Sequence, residues 1–387
     1  MFKVCLDATP VRGKLSGIGV YTLNLIDSLY KLQETEDFRL EIYFHPSVKN
    51  WLLRQFSPCD FLTHYSQISV LPIPVTIANI LAWYPNPFLS YFERYLNNPD
   101  IIHGTDHYVY PYSNSRKIMT IHDLTFLKYP QYSTAIVQGY LERIKRCLQW
   151  TDLIITFSNN TKQDIVEYLG VKPEQIQITA EASRYHANYL KADGIEQLKK
   201  SINYDFSIPY LLFVSTLEPR KNIITLINAF NYLKETYKIP HNLILIGQKG
   251  WKYESIFAAI ETSKYKQSIY HLNYLLDELL ALFYNQSDAF IYPSFYEGFG
   301  LPVLEAMTLG SPVITSNTSS LPEVAGDAAL LINPHDTLEL AEAILKVISD
   351  SQLRNELINK GQKQSQLFSW ERTAKETFKA YQLIINN

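Results

Sequence analysis

The sequence predicts an α/β protein made of two mostly parallel-sheet units. Three observations carry that expectation. The chain has 387 residues, enough for two or three domains at roughly 100–200 residues each. Short apolar, β-rich runs alternate with helix-patterned segments, the pattern of a parallel sheet covered by helices on both faces. The alternation lapses in a polar stretch near residue 180 and then restarts.

Phe2 to Ala8 reads as the first strand, and a Gly-containing loop leads into a helix from about Ile18 to Leu32. Arg39–Phe44, Asp100–His103, Lys117–Ile121 and Leu153–Phe157 read as further strands, each brief, apolar and followed by polar loop residues. The polar stretch AEASRYHANYLKADGIEQLKKSINYDFSIP shows no strand and reads as a connection. Beyond it, strands are expected at Tyr210–Ser215, Asn242–Ile246, Ser268–Leu272, Ala289–Tyr292, Pro312–Thr315 and Ala329–Ile332, with helices between them, the first over Asn222–Tyr237. From Asp336 onward the chain is helical in pattern almost throughout.

Composition narrows the function. An apolar fraction of 47% with 19% charge excludes a mainly disordered chain. A net charge of −3 argues against a general nucleic-acid binder. Cys5, Cys59 and Cys147 offer neither disulfide framework nor metal spacing, which fits a reducing, cytosolic compartment. The N-terminus lacks the long apolar run of a signal peptide. Residues 68–92 carry no charge, but Pro72, Pro74, Pro85 and Pro87 with Asn79 and Asn86 break the run, so no transmembrane span is expected. Two readings of that segment stay open: a buried helix between loops, or a surface that touches lipid or a lipid-linked substrate. The 28 tyrosines suit polar clefts and interfaces, or simply reflect composition.

Four constellations could carry chemistry. The loop Arg12–Gly19 contains Gly13, Gly17 and Gly19 before a helix, where backbone amides can meet a phosphate. It is neither a Walker A loop nor G-x-G-x-x-G, and a plain tight turn explains it equally. Glu218-Pro219-Arg220-Lys221-Asn222 follows a strand and precedes a helix. Adjacent cations at the positive end of a helix are unfavourable unless an anion compensates them, which suits a diphosphate. YPSFYEGFGLPVLEAMTLG places Glu297 on a glycine loop and Glu305 within the following helix. Two carboxylates beside a phosphate site are better used on sugar hydroxyls than on the anion. Finally, His122-Asp123 and the trio His103, Asp106 and His107 follow strands, where open α/β sheets bind ligands, although a structural role is the commoner one for histidine. Asp-x-Asp, H-E-x-x-H, G-x-S-x-G and paired-cysteine motifs are all absent from the sequence.

These segments together resemble glycosyltransferase family 4, and TIHDLTF and EPRKN are similar to its mannosyltransferase-B-like branch. The likeness spans DATPVRGKLSGIGVYTLNL, MTIHDLTFLKYP, VSTLEPRKN, LILIGQKGW, the Glu297–Glu305 segment, LPEVAGDAALLINPHD and FSWERTAKETFKAY. It implies the GT-B fold, two Rossmann-like domains with parallel sheets facing across a cleft. The implied boundaries are a first domain over 1–185, a linker over 186–207, a nucleotide-sugar domain over 208–368 and a C-terminal helix over 369–387 crossing back to the first domain.

The implied reaction is retaining transfer of a hexose, with mannose favoured, to a glycan or lipid-linked acceptor in surface polysaccharide synthesis. No metal and no permanently bound cofactor are implied. The donor is a nucleotide sugar, GDP-mannose ahead of a UDP-sugar, and the expected location is the cytoplasm or the inner membrane face, with residues 68–92 as the membrane contact. By position, Gly17 and Gly19 approach the donor phosphates, Arg220 and Lys221 hold the diphosphate, and Glu305 meets the ribose. Glu297 meets the donor sugar beside the amides of Phe299, Gly300 and Leu301, and His122 lies near the reacting sugar. The catalytic set is then Glu297, His122 and Lys221, with His103, Asp106 and His107 unassigned. The junction ITAEASRYH departs from the family by lacking Pro and Gly. Two alternatives compete: a nucleotide-sugar epimerase or hydrolase of the same fold, and a sugar-binding protein without activity.

Overall fold

The structure is a computed structural model that describes residues 1–13, 15–65, 67–83, 87–132 and 135–386. Residues 84–86 of the uncharged run, and Lys14 of the glycine loop, lie outside the described residues. The chain divides into two compact units. The first is chiefly Met1–Pro130 and Ala135–Glu181 with the stretch from Ser369 onward, and the second is chiefly Ala182–Phe368.

The first unit holds a seven-stranded sheet. Its strands are β1 (Phe2–Asp7), β2 (Phe38–Phe44), β3 (Ile68–Val70), β4 (Ile101–Gly104), β5 (Arg116–Thr120), β6 (Leu153–Thr156) and β7 (Ile176–Ile178). The order is β3-β2-β1-β4-β5-β6-β7, and every pairing is parallel. The second unit holds β8 (Tyr210–Val214), β9 (Asn242–Ile246), β10 (Ile269–Leu272), β11 (Ala289–Tyr292), β12 (Val313–Ser316) and β13 (Ala329–Ile332), ordered β10-β9-β8-β11-β12-β13 and again all parallel. The central strands are buried along their length, as in YLLFV and NLILI, because helices cover both faces of a parallel sheet.

Each sheet reverses its order at one place, between β1 and β4 and between β8 and β11. Ligands of open α/β sheets bind outside the carboxyl ends of strands at such switch points. The glycine loop leaves β1 and the His-Asp cluster leaves β4. Likewise, Glu218–Asn222 follows β8 and the Glu297 loop follows β11. These motif loops are therefore the loops of the two switch points, while His122-Asp123 follows the neighbouring strand β5.

The structure adds elements beyond those expected. β3 and β7 are three-residue edge strands whose side chains are half-buried apart from the buried Ile176. A strand that short, paired on one side only, leaves no readable period. The connection expected over 186–207 contains a helix, Ala192–Lys200. The described part of residues 68–92 is not one buried helix but β3 followed by two short helices, Val75–Leu81 and Pro87–Glu93. Among the described residues no helix is long and apolar enough to cross a membrane.

The last helix, Trp370–Ile385, starts at a Ser369 cap whose hydroxyl accepts from the Arg372 amide. It packs against the helix Gly17–Leu32. Thr373 Oγ1 donates to the Ala180 carbonyl at 2.6 Å, and the Tyr381 hydroxyl lies 2.8 Å from His103 Nδ1. His103 is fully buried and its Nε2 meets Thr120 Oγ1 at 2.8 Å. Both ring nitrogens are thus spent inside the fold, and His103 serves packing.

Candidate active site

In the second unit the chain leaves β8 and makes a 3-10 turn, Pro219–Lys221. Asn222 then adopts the left-handed conformation at φ 58°, which asparagine tolerates better than most residues. Its side-chain Nδ2 donates to the carbonyls of Pro293 (3.0 Å) and Pro334 (2.7 Å), fixing the turn to the end of β11 and to the loop after β13. The preceding two side chains are thereby aimed at the Glu297 loop.

There, four charges form a quartet, all buried but Arg220, which is half-buried. Lys221 Nζ donates to Glu297 Oε1 at 2.7 Å and to the Tyr292 hydroxyl at 2.9 Å. Arg220 Nη1 donates to Glu297 Oε2 and to the Tyr296 carbonyl, both at 2.8 Å, while Nε and Nη2 reach Glu218 Oε1 at 3.1 and 2.9 Å. Glu218, Lys221 and Glu297 are all buried. Burial alone would raise the Glu297 pKa, but Arg220 and Lys221 outweigh it and hold the carboxyl down at about 2. Burial and Arg220 oppose the Lys221 charge in turn, yet Glu297 keeps its pKa above the ordinary lysine value. Two cations and two carboxylates cancel, so the expected diphosphate ligands already carry internal counterions.

Ser319 and Ser320 stitch the Glu297 loop. Ser319 Oγ accepts from the Glu297 amide (3.0 Å), and Ser320 Oγ donates to the carbonyls of Glu297 (2.9 Å) and Phe299 (2.6 Å). Gly300 sits at φ 126°, where an added Cβ would lie 3.0 Å from Leu321 Cδ2. It caps the helix Leu301–Thr308, whose first amides lack intrahelical partners.

Glu305 lies one turn into that helix and is buried. Arg184 Nε donates to Glu305 Oε1 at 2.8 Å, and the Tyr284 hydroxyl donates to Oε2 at 3.2 Å. Arg184 Nη1 also reaches Asp277 Oδ1 at 3.1 Å. Burial works against the Arg184 charge, but Glu305 outweighs it and raises the pKa. Arg184 was not legible as a site residue. It belongs to the junction ITAEASRYH, and its partner is 121 residues away. The only hint is the departure of that junction from the family pattern.

In the first unit, Ser16 caps the helix Gly17–Leu32 by accepting from the Gly19 amide at 3.2 Å. The two glycines differ. A Cβ on Gly17 meets open space, whereas one on Gly19 would lie 3.0 Å from the Pro10 carbonyl oxygen and 3.2 Å from Leu15 Cδ2. Gly17 therefore offers room for close approach, while Gly19 is required by packing and its amide is already engaged. Thr105 Oγ1 donates to the Asp7 carbonyl at 2.7 Å, tying the ends of β4 and β1. His122 Nε2 lies 2.7 Å from the Thr105 carbonyl oxygen. A carbonyl only accepts, so Nε2 carries the proton and Nδ1 is an acceptor. Asp106 and His107 line a small cavity with Tyr140 and Arg143. The expected residues of this unit thus gather along the carboxyl ends of β1, β4 and β5. Among the described residues, no cluster of three His, Cys, Asp or Glu side chains is spaced to hold a metal.

Three histidines of this unit are held neutral. Burial, reinforced by His107, lowers His122 to about 4, and burial lowers His103 to about 3 and His45 to about 4. Unfolded, each titrates near ~6.5, so the unfolded chain binds more protons as pH falls from about 6.5 toward 4. Asp7 acts oppositely. Burial raises its carboxyl to about 6, so its contribution is lost as pH rises through that value. Near pH ~5 the net excess in the unfolded chain is about two protons, a slope of roughly 2.7 kcal/mol per pH unit. Urea unfolding of the first unit is expected to become easier between pH ~6.5 and ~4.5; a flat profile would refute the neutral assignment.

Two family models match the chain, Glycosyltransferase Family 4 over residues 16–180 and Glycosyl transferases group 1 over residues 195–364. The chain is 31% identical over 400 residues to O-antigen chain mannosyltransferase B of Escherichia coli, covering 99% of this chain and 100% of that protein. Among solved structures, sucrose-phosphate synthase from Thermosynechococcus elongatus superposes with a TM-score of 0.73 at 21% identity, covering 100% of both chains. Anabaena HepE, solved in complex with UDP-glucose, gives 0.74 at 16% identity, covering 99% of this chain and 100% of that one. At such identities these two structures bear on the fold alone.

Proposed function

Because the chain belongs to glycosyltransferase family 4, we propose that it moves mannose, with retention, from GDP-mannose to a glycan or lipid-linked acceptor of a surface polysaccharide. A UDP-sugar is the next donor. The observation that carries the reading is the charge quartet Glu218, Arg220, Lys221 and Glu297, and mannose is taken from the full-length likeness to mannosyltransferase B.

In the reaction, the bond between the anomeric carbon and the β-phosphate oxygen breaks while a bond to an acceptor hydroxyl forms on the same face. The acceptor proton passes to the leaving diphosphate. Charge grows on that diphosphate, and Arg220, Lys221 and the amides of Phe299, Gly300 and Leu301 stabilise it in place of a metal. Glu297 accepts hydrogen bonds from the sugar, and Glu305 from the ribose. Gly17 serves the phosphates from the first unit, with Gly19 shaping its loop. His122, neutral with Nδ1 accepting, serves the reacting sugar. Lys221, Glu297 and His122 form the catalytic set. The domain assignment keeps residues 1–185 as the acceptor side, 208–368 as the donor side and 369–387 as the returning helix. The enzyme acts in the cytoplasm at the inner membrane face, with residues 68–92 in the membrane contact.

A thermal-shift panel of nucleotides and nucleotide sugars tests the donor. A ligand present at 100 times its Kd stabilises by about 2.7 kcal/mol, so GDP and GDP-mannose are expected to raise Tm above UDP and UDP-glucose. A flat response to every nucleotide refutes the enzyme reading. An anomeric NMR signal of inverted configuration in the product refutes retention. Epimerised sugar formed from donor alone turns the assignment to the epimerase class.

A further inference from the structure

Exposed apolar side chains are concentrated in one part of the first unit. Among the described residues, 27 large hydrophobic side chains are exposed, and 11 fall within residues 48–95, an eighth of the chain. Core formation does not account for them. The short helix Val48–Leu52 buries none of its residues, and Val75–Leu81 buries only Ala78.

The two helices belong together. β2 and β3 are parallel neighbours, so the chain leaves both at the same sheet edge, the edge that carries the glycine loop and His122. The Val75 amide donates to the Pro46 carbonyl at 3.0 Å, and Trp51 Nε1 donates to the Pro72 carbonyl at 2.7 Å. These bonds pin the helix after β2 to the turn that opens the helix after β3. From the pair project Trp51, Leu52, Leu53, Ile77, Ile80 and Trp83; Leu52 is 68%, Ile80 63% and Trp83 52% exposed.

Charge selects the partner. Within residues 46–95 the exposed charges are Lys49, Arg54 and Arg94 against Asp60 alone. Glu93 is buried, accepting from the amides of Ser113 and Asn114 and from Ser115 Oγ. The Arg146 guanidinium lies 3.3 Å over the Trp83 ring. This local basic excess stands in a chain of net charge −3. Tryptophan and aliphatic side chains flanked by arginine and lysine are the composition of a surface that lies in the headgroup region of a bilayer, and the flanking cations favour anionic lipid.

We propose that the paired helices Val48–Leu52 and Val75–Leu81 dock this protein onto an anionic lipid bilayer, inserting Leu52, Leu53, Ile77 and Ile80 at the headgroup–acyl boundary. The contact differs from the 68–92 run in its centre, since half of it comes from the segment after β2. It rests on the lipid-linked-acceptor reading only for its purpose, and its test needs neither donor nor acceptor.

The full-length protein is sedimented with phosphatidylcholine vesicles with and without phosphatidylglycerol. Binding is expected only with phosphatidylglycerol and falls in high salt, and brominated lipid is expected to quench tryptophan emission. The double variant Leu52→Glu, Ile80→Glu, both at exposed positions, is expected to weaken binding at least about tenfold while its melting curve and its transfer to a water-soluble acceptor stay unchanged. Wild-type protein that remains in the supernatant with anionic vesicles overturns the proposal, as does a folded variant that binds like wild type. A variant that changes oligomeric state with no vesicle binding by the wild type assigns the face to self-association and also overturns it. Loss of transfer with vesicle binding intact would strike the function reading and leave this one standing.

Discussion

Replacing Lys221 with alanine is expected to lower kcat for sugar transfer by about 10²–10³-fold, the scale of one lost electrostatic contact to charge developing in a transition state. Lys221 is buried, and its ammonium is placed by two partners from the far side of the switch point, Glu297 Oε1 and the Tyr292 hydroxyl. Two of its three N–H groups are so used, leaving one to point at a ligand. Stability is the competing effect, because breaking a buried pair by removing one partner costs about 3–5 kcal/mol when the other charge is stranded. Here Arg220 remains on Glu297 Oε2 and softens that penalty. The two effects separate by measurement. A Lys221→Ala protein that melts cooperatively yet has lost both turnover and the GDP-induced Tm shift supports the phosphate role, and one that turns over at the wild-type rate sinks it. Glu297→Ala is expected to lower transfer by at least about 10²-fold. With its carboxyl held down at about 2, Glu297 stays ionised above pH ~4.5, so it contributes no acid limb to the rate profile in that range. Its share of stability is present above the unfolded value near ~4.3 and is lost as pH falls toward about 2.

What the sequence revealed and what it hid follow one physical division. β9, β11 and β13 stand at the expected residues because each is a short apolar run bounded by polar or Gly/Pro positions; in β9 and β11 burial on both faces makes that signal continuous, while β13 is a largely half-buried edge strand. The Glu297 loop and the Arg220–Lys221 turn were readable for a similar reason, since each is a local string whose residue types suffice to propose anion and sugar binding. Pairings across long separations were not readable. Neither the bond from Arg220 to Glu297 nor the bond from Arg184 to Glu305 has a local signature, because both exist only once distant segments meet. β3 and β7 were hidden by brevity and one-sided pairing. His103 and His122 look alike in sequence, each just at or past a strand end, but one spends both nitrogens on Thr120 and Tyr381 while the other keeps Nδ1 as an acceptor.

Arg184→Ala is expected to lower kcat/KM for the donor by about 30–1,000-fold, mostly through KM, corresponding to the roughly 2–4 kcal/mol lost when one partner of a buried charge pair is truncated. The loss follows from how Glu305 is held. Its Oε1 faces Arg184 and its Oε2 faces Tyr284, which sets the carboxylate plane and leaves its remaining lone pairs for approaching hydroxyls. Without Arg184 the carboxylate keeps one neutral partner, in a buried position where an uncompensated charge is costly. Arg184 acts through Glu305 and is a positioning residue, so its test must separate positioning from simple stabilisation. Donors lacking a ribose hydroxyl make that separation. If Arg184 holds Glu305 for the ribose, deoxy-donors lose affinity with wild type, and that penalty shrinks in Arg184→Ala because the contact is already impaired, the non-additivity expected of coupled groups. Arg184→Lys, which retains charge but not the planar fork spanning Glu305 and Asp277, should restore only part of the affinity. An undiminished deoxy penalty in Arg184→Ala would show that Glu305 keeps its place unaided and would reduce Arg184 to a tie between Asp277 and the helix Leu301–Thr308.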